Sequence, residues 1–170
     1  DIATEPVLFN LYYGGKSAVE SLEEGDEIKL GTSIPQVDET TPLFRNIYIE
    51  GITCRNARRA LYFHGLPEQN IENIHISDFV VHAQVGGELI EADHITLKNV
   101  AIYPGTGAAI KLHNVGNLQV EGLQTGEQTE VIYEIRGNRT RKIVLDTVSG
   151  SDKVYVAGEG GEEQISFLKK

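Results

Sequence analysis

A seven-residue pattern recurs five times along this 170-residue chain, and no other feature restricts its fold as tightly. Asn46-Ile47-Tyr48-Ile49-Glu50-Gly51-Ile52 aligns without gaps on Asn73-Ile74-His75-Ile76-Ser77-Asp78-Phe79 and His94-Ile95-Thr96-Leu97-Lys98-Asn99-Val100. It aligns equally on Asn117-Leu118-Gln119-Val120-Glu121-Gly122-Leu123 and Lys142-Ile143-Val144-Leu145-Asp146-Thr147-Val148. The copies begin 27, 21, 23 and 25 residues apart. That spacing is too irregular for a coiled coil and suits a solenoid, whose loops vary while its core columns do not.

In every copy the second, fourth and seventh positions are apolar. Alternation at period two predicts a strand. The step from the fourth to the seventh position breaks the alternation, and the sixth column between them holds Gly51, Asp78, Asn99, Gly122 and Thr147. All but the threonine tolerate positive φ. One left-handed residue there bends the chain and turns the next strand's apolar side toward the same interior. A third strand follows, with Ala60, Ala108 and Val131 each 14 residues after the start of their copies, and with expected segments 60–66, 88–93, 108–115, 131–138 and 153–158. Three short strands per turn without helix predict an all-β protein: a right-handed parallel β-helix of about six to seven coils, stacked about 4.8 Å apart. A leucine-rich repeat has a similar period but needs a helix or 3₁₀ segment after each strand and a consensus leucine ladder.

Residues 1–170 therefore read as one β-helix domain. Residues 14–42 depart from the pattern: seven carboxylates (Glu20, Glu23, Glu24, Asp26, Glu27, Asp38, Glu39) face two lysines (Lys16, Lys29), a net charge of −5 and half of the chain's −10. This is expected to be an acidic, solvated insertion between coils. The tail, 158–170, is rich in Gly and Glu and then apolar at Ile165, Phe167 and Leu168, so it is expected to form a last strand or to cover the end of the core. With 25 acidic residues against 15 scattered basic ones, no nucleic-acid partner is expected. Nor is a membrane partner, because no run of about 18 apolar residues occurs. Cys54 is the one cysteine, which excludes an internal disulfide and leaves no zinc pattern, so no metal or cofactor is expected. The chain lacks methionine and opens at Asp1 without a signal segment, which reads as a processed chain or a fragment.

Several stretches carry a family resemblance. Residues 44–54, followed by Ala60-Leu61-Tyr62-Phe63-His64-Gly65-Leu66-Pro67-Glu68 and Ile71-Glu72-Asn73-Ile74, closely resemble the bacterial polygalacturonase-like glycoside hydrolases of family 28. The opening residues 1–13 are similar to that family's coil just after its active site, and the likeness covers roughly residues 1–125. The resemblance implies a pectin-lyase-like solenoid and a secreted, extracellular or periplasmic parent protein. It also implies inverting hydrolysis of α-1,4-galacturonide linkages in pectin. The family's aspartates come from Asn-Thr-Asp and Asp-Asp motifs, its histidine from Gly-His-Gly, and its carboxylate grip from Arg-Ile-Lys. None of the four motifs occurs here, so no catalytic residue is assigned, and the resemblance places the catalytic aspartates upstream of Asp1. It assigns one substrate contact, the tyrosine ending the first strand, matched by Tyr13 with Tyr12 one register away.

Other candidates come from the residues themselves. Strand alternation turns Tyr62, His64, Lys111, His113, Glu134 and Arg136 outward and Leu61, Phe63, Ile110, Leu112, Val131, Tyr133 and Ile135 inward. Tyr62 and His64 are thus candidate contacts for an acidic polysaccharide such as galacturonan, on a face that is otherwise ordinary surface. Glu91 and Glu134 come nearest to a carboxylate pair, about 9.6 Å apart by strand spacing, with Lys111 between them. Residues 13–17 end like a phosphate-binding loop but lack its first glycine and a following helix. Cys54 shares a column with Val81 and Ile102 and reads as core wall, Arg58-Arg59 as a corner loop able to meet a polyanion, and Asn138-Arg139-Thr140 as a sequon. A solenoid opening at residue 7 would expose unpaired backbone, so self-association through the N-terminal face is expected. The alternative to an enzyme portion is a complete, non-catalytic β-helix for carbohydrate binding or adhesion, since one scaffold carries both.

Overall fold

The computed structural model describes residues 4–12, 34, 36–146, 154–157 and 165–168. These residues form nine strands and no helix. They are β1 (Leu8–Asn10), β2 (Arg45–Glu50), β3 (Thr53–Arg59), β4 (Tyr62–His64), β5 (Ile71–Glu121), β6 (Tyr133–Arg136), β7 (Arg141–Asp146), β8 (Val154–Ala157) and β9 (Ile165–Leu168). Every pairing between them is parallel. β5, with 51 residues, stays paired while it winds through successive coils, so it is a bent ribbon and not one straight strand.

The register is that of the repeat. Ile47 lies opposite Ile74 and Ile49 opposite Ile76, then Leu118 opposite Ile143, and Ile143 opposite Ile165. β9 is therefore a further copy stacked on β7, which settles the tail as a last strand. Inside the solenoid the apolar columns of the second to fifth copies are buried wherever described, while Ile47, Ile49 and Ile52 of the first copy pack against the core from its end. About four turns are present among the described residues, fewer than the six to seven expected. β1, β8 and β9 are short strands that flank these turns among the described residues. The expected third strands 88–93 and 108–115 lie wholly within β5, whereas β4 and β6 are shorter than the expected 60–66 and 131–138, and Ile132 is buried where Val131 is half-buried. Of the insertion, residues 34 and 36–42 are described, with Ile34 and Val37 exposed; the rest of 14–42 lies outside the described residues.

Three columns of left-handed residues make the corners. The expected sixth column holds, with φ of 74° at Gly51, 51° at Asp78 and Asn99, and 70° at Gly122, while Thr147 lies outside the described residues. The first column is left-handed too, at Asn46, Asn73, His94, Asn117 and Lys142. A third comprises Glu91, Asn114 and Gly137. Each non-glycine residue in this conformation costs about 1–2 kcal/mol. Side-chain ladders between coils offset that cost: Asn73 Nδ2 donates to Asn46 Oδ1 at 2.6 Å, and Asn114 Nδ2 to Glu91 Oε1 at 2.7 Å. Gly137 completes its column because a Cβ there would sit 2.2 Å from Asn114 Oδ1.

The register makes a sharp prediction. Leu97 is fully buried and Thr96, its neighbour, faces outward. Leu97→Asp is expected to cost at least about 3 kcal/mol by placing a lone carboxylate in the core, and Thr96→Asp under about 1 kcal/mol. Equal losses in chemical denaturation would contradict the assigned faces.

Candidate functional site

The outward face of β4 begins the site. Leu61 and Phe63 are fully buried, which turns Tyr62 and His64 to the other side of the strand. β1 lies alongside, pairing Leu8 with Tyr62 and Asn10 with His64. The Tyr12 ring then packs on His64 with centroids 4.6 Å apart, and Tyr62 Oη lies 2.8 Å from His64 Nδ1. His64 is consequently only 1% exposed, which corrects its expected place on an open surface. Alternation gives the side of the strand, and the neighbouring aromatic rings then cover that side. Tyr62 stays half-buried, and the Arg59 guanidinium sits 4.0 Å above its ring. Arg59 also pairs with Glu88 at 3.3 Å and Glu5 at 3.9 Å. Tyr13, the preferred substrate contact, lies outside the described residues, as do the other residues of the phosphate-loop-like stretch 13–17.

This tier forms one side of a groove of about 480 Å³. Arg58, Arg59, Tyr62 and His64 stand on that side, Gly86, Gly87 and Glu88 lie between, and Gly107, Ala108 and Lys111 stand beyond. The groove brings three cations against one carboxylate, in a chain whose net charge is −10. Close stacking requires the glycine at its base: a Cβ on Gly86 would lie 2.1 Å from the Ala108 carbonyl oxygen. Arg58 and Arg59 end β3 and are not in a corner loop as expected.

A smaller depression of about 210 Å³ follows, lined by Glu88, Lys111, His113, Glu134 and Arg136 among others. Glu134 lies opposite Lys111 in the ladder, with carboxylate oxygens 2.5 Å from Arg136 and 3.8 Å from Lys111. Burial, then Arg136 and Arg139, push the His113 imidazole below its ordinary value, which favours its neutral form. Glu91 does not join this face. It sits buried at the left-handed corner, where Asn114, Asn70 and Arg139 bind its oxygens, and Arg139 Nη1 also donates to the Pro67 carbonyl at 3.3 Å. Arg141 grips Asp93 in the same manner. Each arginine thus ties together residues 48 positions apart in sequence, clamping the corner at the end of the groove strands.

The remaining candidates resolve into structure. Cys54 and Val81 are paired core residues. Asn138 is exposed, but the Thr140 hydroxyl of its sequon is buried and donates to the Arg136 carbonyl at 2.6 Å. No cluster of three or more metal-ligating side chains occurs among the described residues. Sequence reasoning passed over Glu88 and the stacking of Arg59 on Tyr62, because both depend on which residues the register brings together.

The corner clamp has a pH signature. Burial pushes the Glu91 carboxyl above its ordinary value, against the opposing pull of Asn114, Arg139 and Asn70. The native state then keeps its proton to higher pH than the unfolded chain, so this group withdraws stability as pH rises from the ordinary carboxylate range through the folded value. Stability relative to a Glu91→Gln variant is expected to decline in denaturant titrations as pH rises above the ordinary carboxylate range. A relative gain over the same rise would contradict the assignment.

Comparison of the chain with protein-family models, with curated proteins and with solved structures found no match.

Proposed function

We propose that the groove binds the carboxylate-bearing sugars of an acidic polysaccharide of the galacturonan type. In this reading the chain is the rear portion of a pectin-degrading, polygalacturonase-like glycoside hydrolase of family 28, acting extracellularly or in the periplasm. The observation that carries it is the local reversal of charge: Arg58, Arg59 and Lys111 converge on a concave, partly aromatic surface of a strongly acidic chain. Arg58 and Lys111 are both exposed and suit sugar carboxylates, Lys111 lying 3.8 Å from Glu134 and Arg58 meeting no carboxylate among the described residues, and an arginine fork binds a carboxylate through two parallel hydrogen bonds. Tyr62, held by Arg59 above and His64 beside it, offers a ring of fixed orientation to a pyranose. Such a wall positions substrate, while the aspartates that hydrolyse the α-1,4 linkage belong to coils preceding these.

A second reading, a non-catalytic carbohydrate-binding β-helix, has its own support. Inverting hydrolysis needs two carboxyl groups about 6.5–9.5 Å apart with room for water. Glu88, Glu91 and Glu134 each lie in an ion pair with an arginine. Both readings share the groove and differ in whether upstream coils restore hydrolysis.

Calorimetric titration tests the shared claim. Short galacturonate oligomers are expected to bind, their methyl-esterified counterparts to bind at least about tenfold more weakly, and Lys111→Gln to weaken the acid form by a similar factor. Equal affinity for acid and ester would remove the basis of the proposal. The chain alone is expected to release no reducing ends from polygalacturonate, and release above a buffer blank would place catalysis within these coils.

A further inference from the structure

A second concavity, of about 580 Å³, adjoins the groove and shares Arg58 with it. The β3–β5 ladder slips at this point. Cys54 pairs with Val81 and Ala57 with Ala83, so Arg55 and Asn56 together stand against His82 alone. A bulge of this kind inserts one side chain and re-aims its neighbours. Here it sets two arginines, Arg55 and Arg58, along one concavity. Both are exposed, and neither meets a carboxylate among the described residues.

Facing them, the His82 and Tyr103 rings stack with centroids 4.6 Å apart and planes at 21°. His82 is exposed and Tyr103 half-buried, with Gln84, Pro104 and Gly105 continuing the lining. Ring stacking between coils is a habit of this repeat, since Tyr48 and His75 stack at 4.7 Å on another face. What sets the His82–Tyr103 pair apart is its place in a concavity that also holds two guanidinium groups with no carboxylate partner among the described residues. An aromatic pair beside charged forks suits a sugar ring bearing a carboxylate. The C–H face of a pyranose packs on the aromatic surface, and the carboxylate takes the guanidinium hydrogen bonds. A neutral sugar leaves the arginines unused, and inorganic phosphate leaves the rings unused.

We propose that this concavity is a second uronate subsite, occupied by a further residue of the polysaccharide chain held in the groove. The inference rests on the proposed sugar-binding role of the groove, and continuity supports it. Arg58 lines both depressions, and the segment 104–108 contributes Pro104 and Gly105 to one and Thr106, Gly107 and Ala108 to the other.

Calorimetry on the full chain with galacturonate oligomers of increasing length separates the two claims. Affinity is expected to rise about tenfold once the oligomer is long enough to reach both subsites. Arg55→Gln and Tyr103→Ala are each expected to abolish that gain while leaving short-oligomer affinity within about twofold of the native value, whereas Lys111→Gln weakens every length. The exposed Arg55 makes the first variant safe for folding, and thermal unfolding checks the second. If both variants keep the full length-dependent gain, the second subsite is overturned and the groove stands. Absence of binding at every length overturns the groove and the subsite together.

Discussion

Parallel stacking in register is the constraint from which the rest of the structure follows. Each residue of a coil has its equivalent about 4.8 Å above and below, so a side chain chosen at one position must suit a neighbour of the same column. Inside, the solution is aliphatic on aliphatic, as at Ile47 with Ile74 and Leu118 with Ile143. Outside, like charges cannot be stacked, and the groove column answers by alternation: Tyr62 meets Glu88, and Lys111 meets Glu134. The same rule places Arg45 against Glu72 on another face. At the corners the chain must turn left-handed, and amide or carboxylate side chains reach across coils to hold it there.

That constraint also decides what the sequence reveals. The interior columns are legible because burial writes period-two alternation directly into residue type, and the Gly51, Asp78, Asn99 and Gly122 corner is legible because those residues favour positive φ. The parallel corner through Asn46, Asn73, His94, Asn117 and Lys142 is obscured by a histidine and a lysine, whose types carry no such signal. Glu91 reads as a surface carboxylate on an outward strand until Arg139, 48 positions away, is brought beside it. The slip at Arg55 and Asn56 is invisible because a bulge changes the count of residues between columns without changing their character.

The candidate site was legible to a similar depth. Tyr62, Lys111 and Arg136 face outward as alternation demands, and the basic character of the face could be read from it. The burial of His64 could not, because Tyr12 comes from a separate segment and covers it only once β1 pairs with β4. Arg59 gains its meaning in the same way, by lying over Tyr62 and against Glu88 at once. An acidic chain repels a polyanion at long range, so a basic concavity on it selects by local geometry, and added salt screens the distant repulsion more than the contacts in the groove.

The central claim, that this face meets an acidic sugar, is tested most directly by amide chemical-shift mapping of the isotopically labelled chain during titration with trigalacturonate. The account predicts shifts concentrated at residues 58–64, 86–88 and 107–111, with β7 and β9 silent, and none of these shifts when an uncharged trisaccharide is added instead. Shifts scattered over the whole surface, or the same pattern with the neutral sugar, would contradict it.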